Sequence, residues 1–180
     1  MHETQYYKAH PFKSIKRFFS HLFSMPWHAA RYFPQATLKA IEQAIKTSEN
    51  KHLGEIRFVI EADLHPLEIL FNKTPKKRAL ELFSQLGVWD TEHNNGVLIY
   101  ICLADRDVEI LADRAIHQRV GNAGWETICQ AMEQHFRAGA FEAGALQGIS
   151  LVGALLTEHF PADESVKPSR NELPNAPLII

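Results

Sequence analysis

The sequence predicts an α/β fold: a mixed β-sheet on a β-α-β-β core, flanked by helices. Three observations predict it. Residues 97–103 form an unbroken apolar run rich in β-branched and aromatic side chains, as in a strand buried on both faces. Val108, Ile110 and Ala112 alternate with Asp107 and Glu109 just past Asp105-Arg106, which reads as a hairpin partner. Ile56, Phe58 and Ile60 alternate with Glu55, Arg57 and Glu61, and a helical pattern separates this first strand from the second. A helical crossover makes the first two strands parallel, and the tight turn makes the second and third antiparallel.

The elements follow in order. Pro11 opens a helix in which Phe12, Ile15, Phe19, Leu22 and Phe23 fall at helical spacing, with Lys13, Lys16 and Arg17 on the other face. Met25-Pro26 ends it, and residues 27–34 read as a connector. A second helix fits 35–50, with Leu38, Ile41 and Ile45 on its inner stripe. Thr74-Pro75 is a helix start, Thr as cap and Pro in the first turn, and Gly87 is its stop. A short helix from Arg114 stops at Gly121. The next carries Trp125, Ile128, Met132 and Phe136, and the last runs from Phe141 to Phe160. Gly139, Gly144, Gly148 and Gly153 cost helix propensity, so close packing is expected around them. The expected organisation is a basic arm over 1–34, an α/β domain over 35–161 and a tail over 162–180. The apolar end of the tail, Leu178-Ile179-Ile180, suits docking on the body or addition to a sheet edge.

With 180 residues, 46% of them hydrophobic and 22% charged, the chain holds one ordinary core. The net charge of −2 hides an asymmetry. Residues 1–40 carry Lys8, Lys13, Lys16, Arg17, Arg31 and Lys39 against Glu3 alone, whereas the remainder is acidic. An acidic body repels phosphate backbones, so nucleic acid is not an expected partner. The basic arm suits docking on the core, a partner helix or an anionic membrane surface, and Phe12, Ile15, Lys16, Phe19, Leu22 and Phe23 are its candidate contact residues. Cys102 and Cys129 sit in apolar patterns without CxxC spacing and read as buried thiols, which suits a reducing compartment. Neither a secretory signal nor an apolar stretch approaching ~18 residues is visible, so a cytoplasmic location, peripheral at the inner membrane, is expected.

Residues 87–116 and 136–156 together resemble the TPM domain, a family named after a thylakoid lumen protein, a photosystem repair factor and a nematode receptor modulator. The resemblance covers roughly 35–160. It rests on Asn95-Gly96 leading into the apolar strand, on the segment from Arg106 to Asp113, and on the spacing of Phe136, Gly139 and Gly148. Gly54-Glu55-Ile56-Arg57, Trp89-Asp90-Thr91-Glu92, His159-Phe160-Pro161 and Asn171-Glu172-Leu173-Pro174 are similar to a bacterial subgroup without signal peptide or membrane anchor. The resemblance implies a sheet between helices. It also implies, from some members, divalent metal binding at acidic loops or acid phosphatase activity, and from many bacterial members an association with LemA-type membrane proteins.

Two groups of candidate site residues follow from the hairpin. Its open end gathers Asp90, Glu92, Asn94, Asn95 and Asp113, whose oxygens suit Ca²⁺ or Mg²⁺. The same residues also serve as turn formers, with Asp113 as cap of the helix that follows. The opposite sheet end gathers Glu61, Asp63, His65, Asp105 and Arg106, where ligands of open α/β sheets sit. His93, His117 and His135 read as surface residues. His52 and His159 lie near helix ends that mildly favour positive charge. The sequence has no GxGxxG, GxxxxGK[ST], GxSxG or CxxxxxR pattern. The expected function is a non-catalytic accessory or interaction domain at the membrane surface that binds a divalent cation. The alternative is a metal-dependent acid phosphatase.

Overall fold

The computed structural model describes residues 27–71, 73–162 and 171–180, so the expected contact face of the arm, residues 12–23, lies outside the described residues. The elements are α1 (Trp27–Tyr32), α2 (Gln35–Glu49), β1 (Ile56–Glu61), α3 (Pro66–Leu70), α4 (Pro75–Gln85), β2 (Val97–Cys102), β3 (Asp107–Ala112), α5 (Arg114–Arg137), α6 (Phe141–His159) and β4 (Leu178–Ile179). The sheet order is β3-β2-β1-β4. β1 and β2 are parallel with Ile56 opposite Val97, and β2 and β3 are antiparallel with Val97 opposite Ala112. Both pairings are those the crossover and the tight turn predict. The helix started by Thr74 forms as expected, with Thr74 Oγ1 accepting from Lys77 N at 3.2 Å. α5 contains a non-helical residue at Gly121, where the sequence places the break.

Strand alternation sends two sets of side chains to opposite sheet faces. Ile56, Phe58, Ile60, Val97, Ile99, Ile101, Val108 and Ile110 pack against α2, α5 and α6 in the larger core. Val59, Leu98, Tyr100 and Cys102 pack against α3, α4, Val88 and Leu173 in the smaller one. The result is three layers, helices over both faces of the sheet.

Residues 27–34 are not a mere connector. They form α1, and Ala29 and Phe33 are buried in the larger core. Phe33 meets Phe136 and Phe141 edge-on, with ring centroids 6.3 and 5.8 Å apart. α5 and α6 approach closely at Gly148, where a Cβ would stand 2.3 Å from Met132 Sδ. Gly139 has another role: at φ +78° it makes the turn between α5 and α6 and has nothing within 4 Å of where a Cβ would point.

The tail is part of the sheet. β4 runs parallel to β1 with Val59 opposite Leu178. Ile180 N donates to Ile60 O at 3.0 Å, and Ala62 N donates to Ile180 O at 3.1 Å. This explains a departure in β1. Its alternation suggests a half-solvated strand, yet all six of its residues are buried. The tail covers Arg57, and Glu61 is buried beside Arg78 of α4 and Tyr100 of β2.

Candidate functional site

The hairpin register fixes the open end. Because Val97 faces Ala112, the next pair outward is Gly96 and Asp113, and Asp113 N donates to Gly96 O at 2.8 Å. Asn94 takes the left-handed conformation, φ +51°, which asparagine tolerates, and its carbonyl accepts from Ala115 N at 3.1 Å. Asn95 N donates to Thr91 Oγ1 at 3.2 Å. Asp113 begins α5, and its Oδ1 accepts from Arg114 N at 2.6 Å. Turn and cap are therefore both present, and Asn94, Asn95 and Asp113 meet as the hairpin requires.

Two atoms at this end are left over. Asp113 Oδ2 and Asn95 Nδ2 are buried and meet no hydrogen-bond partner among the described residues. A buried polar atom without a partner costs about 1–3 kcal/mol, so these are the places where an additional ligand gains most. Asp90 and Glu92 stand exposed on the entering loop. Among the described residues, no three His, Cys, Asp or Glu side chains are placed to share one ion.

A second acidic set adjoins this end and was not singled out from the sequence. Glu55 O accepts from Val97 N at 2.8 Å, which places the start of β1 beside the start of β2. Glu49 Oε1 accepts from Ile56 N at 3.0 Å and its Oε2 from Asn175 Nδ2 at 2.6 Å. Glu55 Oε2 accepts from Leu173 N at 3.2 Å, and Glu172 Oε1 accepts from Glu92 N at 3.1 Å. Arg57 Nη1 donates to Pro174 O at 2.8 Å and to Ala176 O at 2.6 Å. Three of the four short stretches that mark the bacterial subgroup thus bind one another. Their spacing along the chain gives no sign of this.

Burial, with Glu55 nearby, pushes the Glu49 carboxyl up to about 7 despite its two hydrogen bonds. Burial pushes Glu109 on β3 to about 7 as well, with Asp107 adding to it. His52, expected near a favourable helix end, is instead buried and lowered to about 4. Its Nδ1 donates to Gly54 O at 3.0 Å, so its Nε2, 2.9 Å from Ser48 Oγ, accepts the hydroxyl proton; desolvation outweighs the helix end. The signs are opposite. A carboxyl raised in the folded state gives stability that is present below 4.5 and lost as pH rises toward 7. The lowered histidine gives stability that is present above 6.5 and lost as pH falls toward 4. Glu49→Gln should therefore narrow the loss of thermal stability between mildly acidic and mildly alkaline buffer, read by calorimetry. An unchanged pH dependence would show that Glu49 stays ionised in the fold.

The opposite sheet end is closed by ion pairs. Arg78 Nε donates to both Glu61 oxygens at 3.0 and 3.1 Å, and Arg78 Nη2 lies 2.9 Å from Oε1. Tyr100 Oη donates to Glu61 Oε2 at 2.5 Å. Arg78 also meets Glu81 at 3.4 Å, and Lys73 bridges Glu81 and Glu68 at 2.7 Å each. Both oxygens of Glu61 are thus committed to protein partners, not presented to a ligand. Asp63 and Asp105 lie in the segments after β1 and β2. Cys102 Sγ donates to Asp105 Oδ2 at 3.6 Å, and Arg106 holds the turn at φ +53°. His65 caps α3, its Nδ1 accepting from Leu67 N at 3.3 Å. Burial, together with Asp105, pushes the Cys102 thiol up, away from the thiolate a nucleophile needs.

An open groove of about 590 Å³ lies elsewhere, between α1 and the start of α6, lined by Arg31, Tyr32, Thr37, Phe141 and Glu142 among others. Thr37 Oγ1 donates to Glu142 Oε2 at 2.5 Å across it, and Tyr32 stacks on Phe141 at 4.3 Å. None of the sequence-derived candidates lines it.

Comparison with known proteins agrees with this architecture. A family model described as TPM domain matches residues 28–155. The solution structure of the BA42 protein from the psychrophilic bacterium Bizionia argentinensis is similar at a TM-score of 0.69 and 30% identity, over 80% of this chain and 92% of that one. The N-terminal domain of a protein from P. gingivalis shares the fold at a TM-score of 0.53 and 17% identity, over 72% of this chain and 82% of that one. No curated protein matches the chain.

Proposed function

From the premise that this chain belongs to the TPM domain family, we propose that it is a non-catalytic interaction domain that binds a divalent cation at the open end of the β2–β3 hairpin and works at the inner membrane surface. The observation that carries the cation is Asp113 Oδ2, a buried carboxylate oxygen without a donor among the described residues; at the same hairpin end Asn95 Oδ1 accepts only a long bond, 3.5 Å, from Thr91 Oγ1. One carboxylate, one amide and the carbonyls of a turn suit a hard oxygen-seeking ion. With a single buried carboxylate, affinity falls at the weak end, a Kd on the order of 1 mM. The membrane part rests on the basic balance of residues 1–40. Among the described residues, no helix is long and apolar enough to cross a membrane. A LemA-type membrane protein or the anionic surface itself is the proposed partner.

Titrating Ca²⁺ and Mg²⁺ into the full chain should shift the amide resonances of Asn95, Gly96 and Asp113 saturably, and Asp113→Asn should abolish the response. A shift that survives the substitution would move the cation elsewhere. Co-sedimentation of the same protein with anionic vesicles, set against a Lys13, Lys16 and Arg17 to Glu variant, tests the surface. A second reading, a metal-dependent phosphomonoesterase, draws on the same Asp113 oxygen, since a cation held there carries water that can attack phosphorus. Chelator-sensitive hydrolysis of a phosphomonoester, lost in Asp113→Asn, would select it over the first.

A further inference from the structure

The edge of β1 beyond β2 is occupied by residues 171–180, and the manner of occupation is that of a bound peptide. The body recognises the backbone of this segment more than its side chains. Glu55 holds Leu173 N, Arg57 holds Pro174 O and Ala176 O, and β1 pairs with Leu178 and Ile179 in parallel. Glu49 holds the Asn175 amide, and Leu173 is the one residue of the segment sealed in the smaller core. Strand addition plus one apolar anchor and charged clamps is a general mode of peptide recognition.

The clamps also say what emptying the dock would do. Arg57 is only 7% exposed, and among the described residues it meets no carboxylate within ion-pair distance; both of its hydrogen bonds go to the tail. Without an occupant, a buried guanidinium and the Glu49 and Glu55 carboxyls lose partners together, so an empty dock is unstable and refills. The occupant whose pattern fits is the segment itself. It makes the same bonds whether it comes from its own chain or from another copy, which is the condition for strand exchange.

We propose that the β1 edge, with Glu49, Glu55 and Arg57, is a peptide-recognition site that takes residues 171–180 from a second copy of this chain as well as from its own. Two full-length variants test it. Leu173→Asp weakens the tail and leaves the dock intact. Arg57→Met weakens the dock and leaves the tail intact. Each alone should sediment as a monomer, and the mixture should form a paired species that a peptide of residues 171–180 dissolves. The labelled peptide should bind the Leu173→Asp chain about tenfold more tightly than wild type, whose own tail competes. Binding should weaken by a similar factor when Arg57→Met is added. Should Leu173→Asp fail to fold, Leu173→Ala serves in its place. Folded variants that neither pair nor bind the peptide would overturn the proposal, as would binding indifferent to Arg57.

Discussion

Arg78→Ala should lower the unfolding free energy by about 3–5 kcal/mol, the largest effect expected of any charge removal in this protein. Glu61 is buried, with a side chain 8% exposed, and Arg78, at 20%, supplies three of its four close contacts. The variant leaves a carboxylate in the smaller core with the Tyr100 hydroxyl as its remaining donor. That penalty arises from the stranded charge, not from the bond, so it should be relieved by neutralising the partner. Arg78→Met with Glu61→Gln should recover most of the loss, and a double-mutant cycle by chemical denaturation reads the coupling directly. A single-variant cost below about 1 kcal/mol would class the pair with ordinary surface salt bridges.

Gly96→Ala should cost about 1–3 kcal/mol and remove the cation response as well. A Cβ at this position would stand 2.1 Å from Val88 O, 3.1 Å from Val88 Cγ1 and 3.2 Å from Thr91 Cγ2. The first of these is backbone, so no rotamer change relieves it. The loop must move, and Asn95 and Asp113 sit on either side of it in the hairpin register. A variant with wild-type stability and an intact amide-shift response would show that the loop yields freely and that Gly96 does not hold it.

The sheet was legible because its signals are local. An apolar run, an alternation and a short turn give strand type and direction without distant partners, and Asn95 and Asp113 come to the same sheet end as antiparallel pairing demands; the register itself, Cys102 opposite Asp107 across residues 103–106, is fixed by the fold. The Gly121 break and the Thr74 cap were legible for the same reason. What failed to show was long-range. Arg57 and Glu61 look like the wet face of β1 until Pro174, Ala176, Arg78 and Tyr100 are seen beside them. Glu49 and Glu55 look like helix-end and strand-end surface acids for the same reason. His52 was misplaced because burial, which periodicity does not report at the end of α2, outweighs the helix end. Residues 27–34 hide because α1 is short, and two buried residues, Ala29 and Phe33, are too few to establish a period.

The tail-to-β1 clasp has a consequence for how the chain comes to be folded. The carbonyls that satisfy Arg57 lie 117 and 119 positions further along. A ribosome makes β1 well before residues 171–180, so over that interval the nascent chain carries a bare strand edge and an unpartnered cation. Contacts of such separation close late, since chain entropy must be lost before they contribute. The clasp should hence close only after residues 171–180 have emerged, with chaperone dependence concentrated in the interval before they arrive.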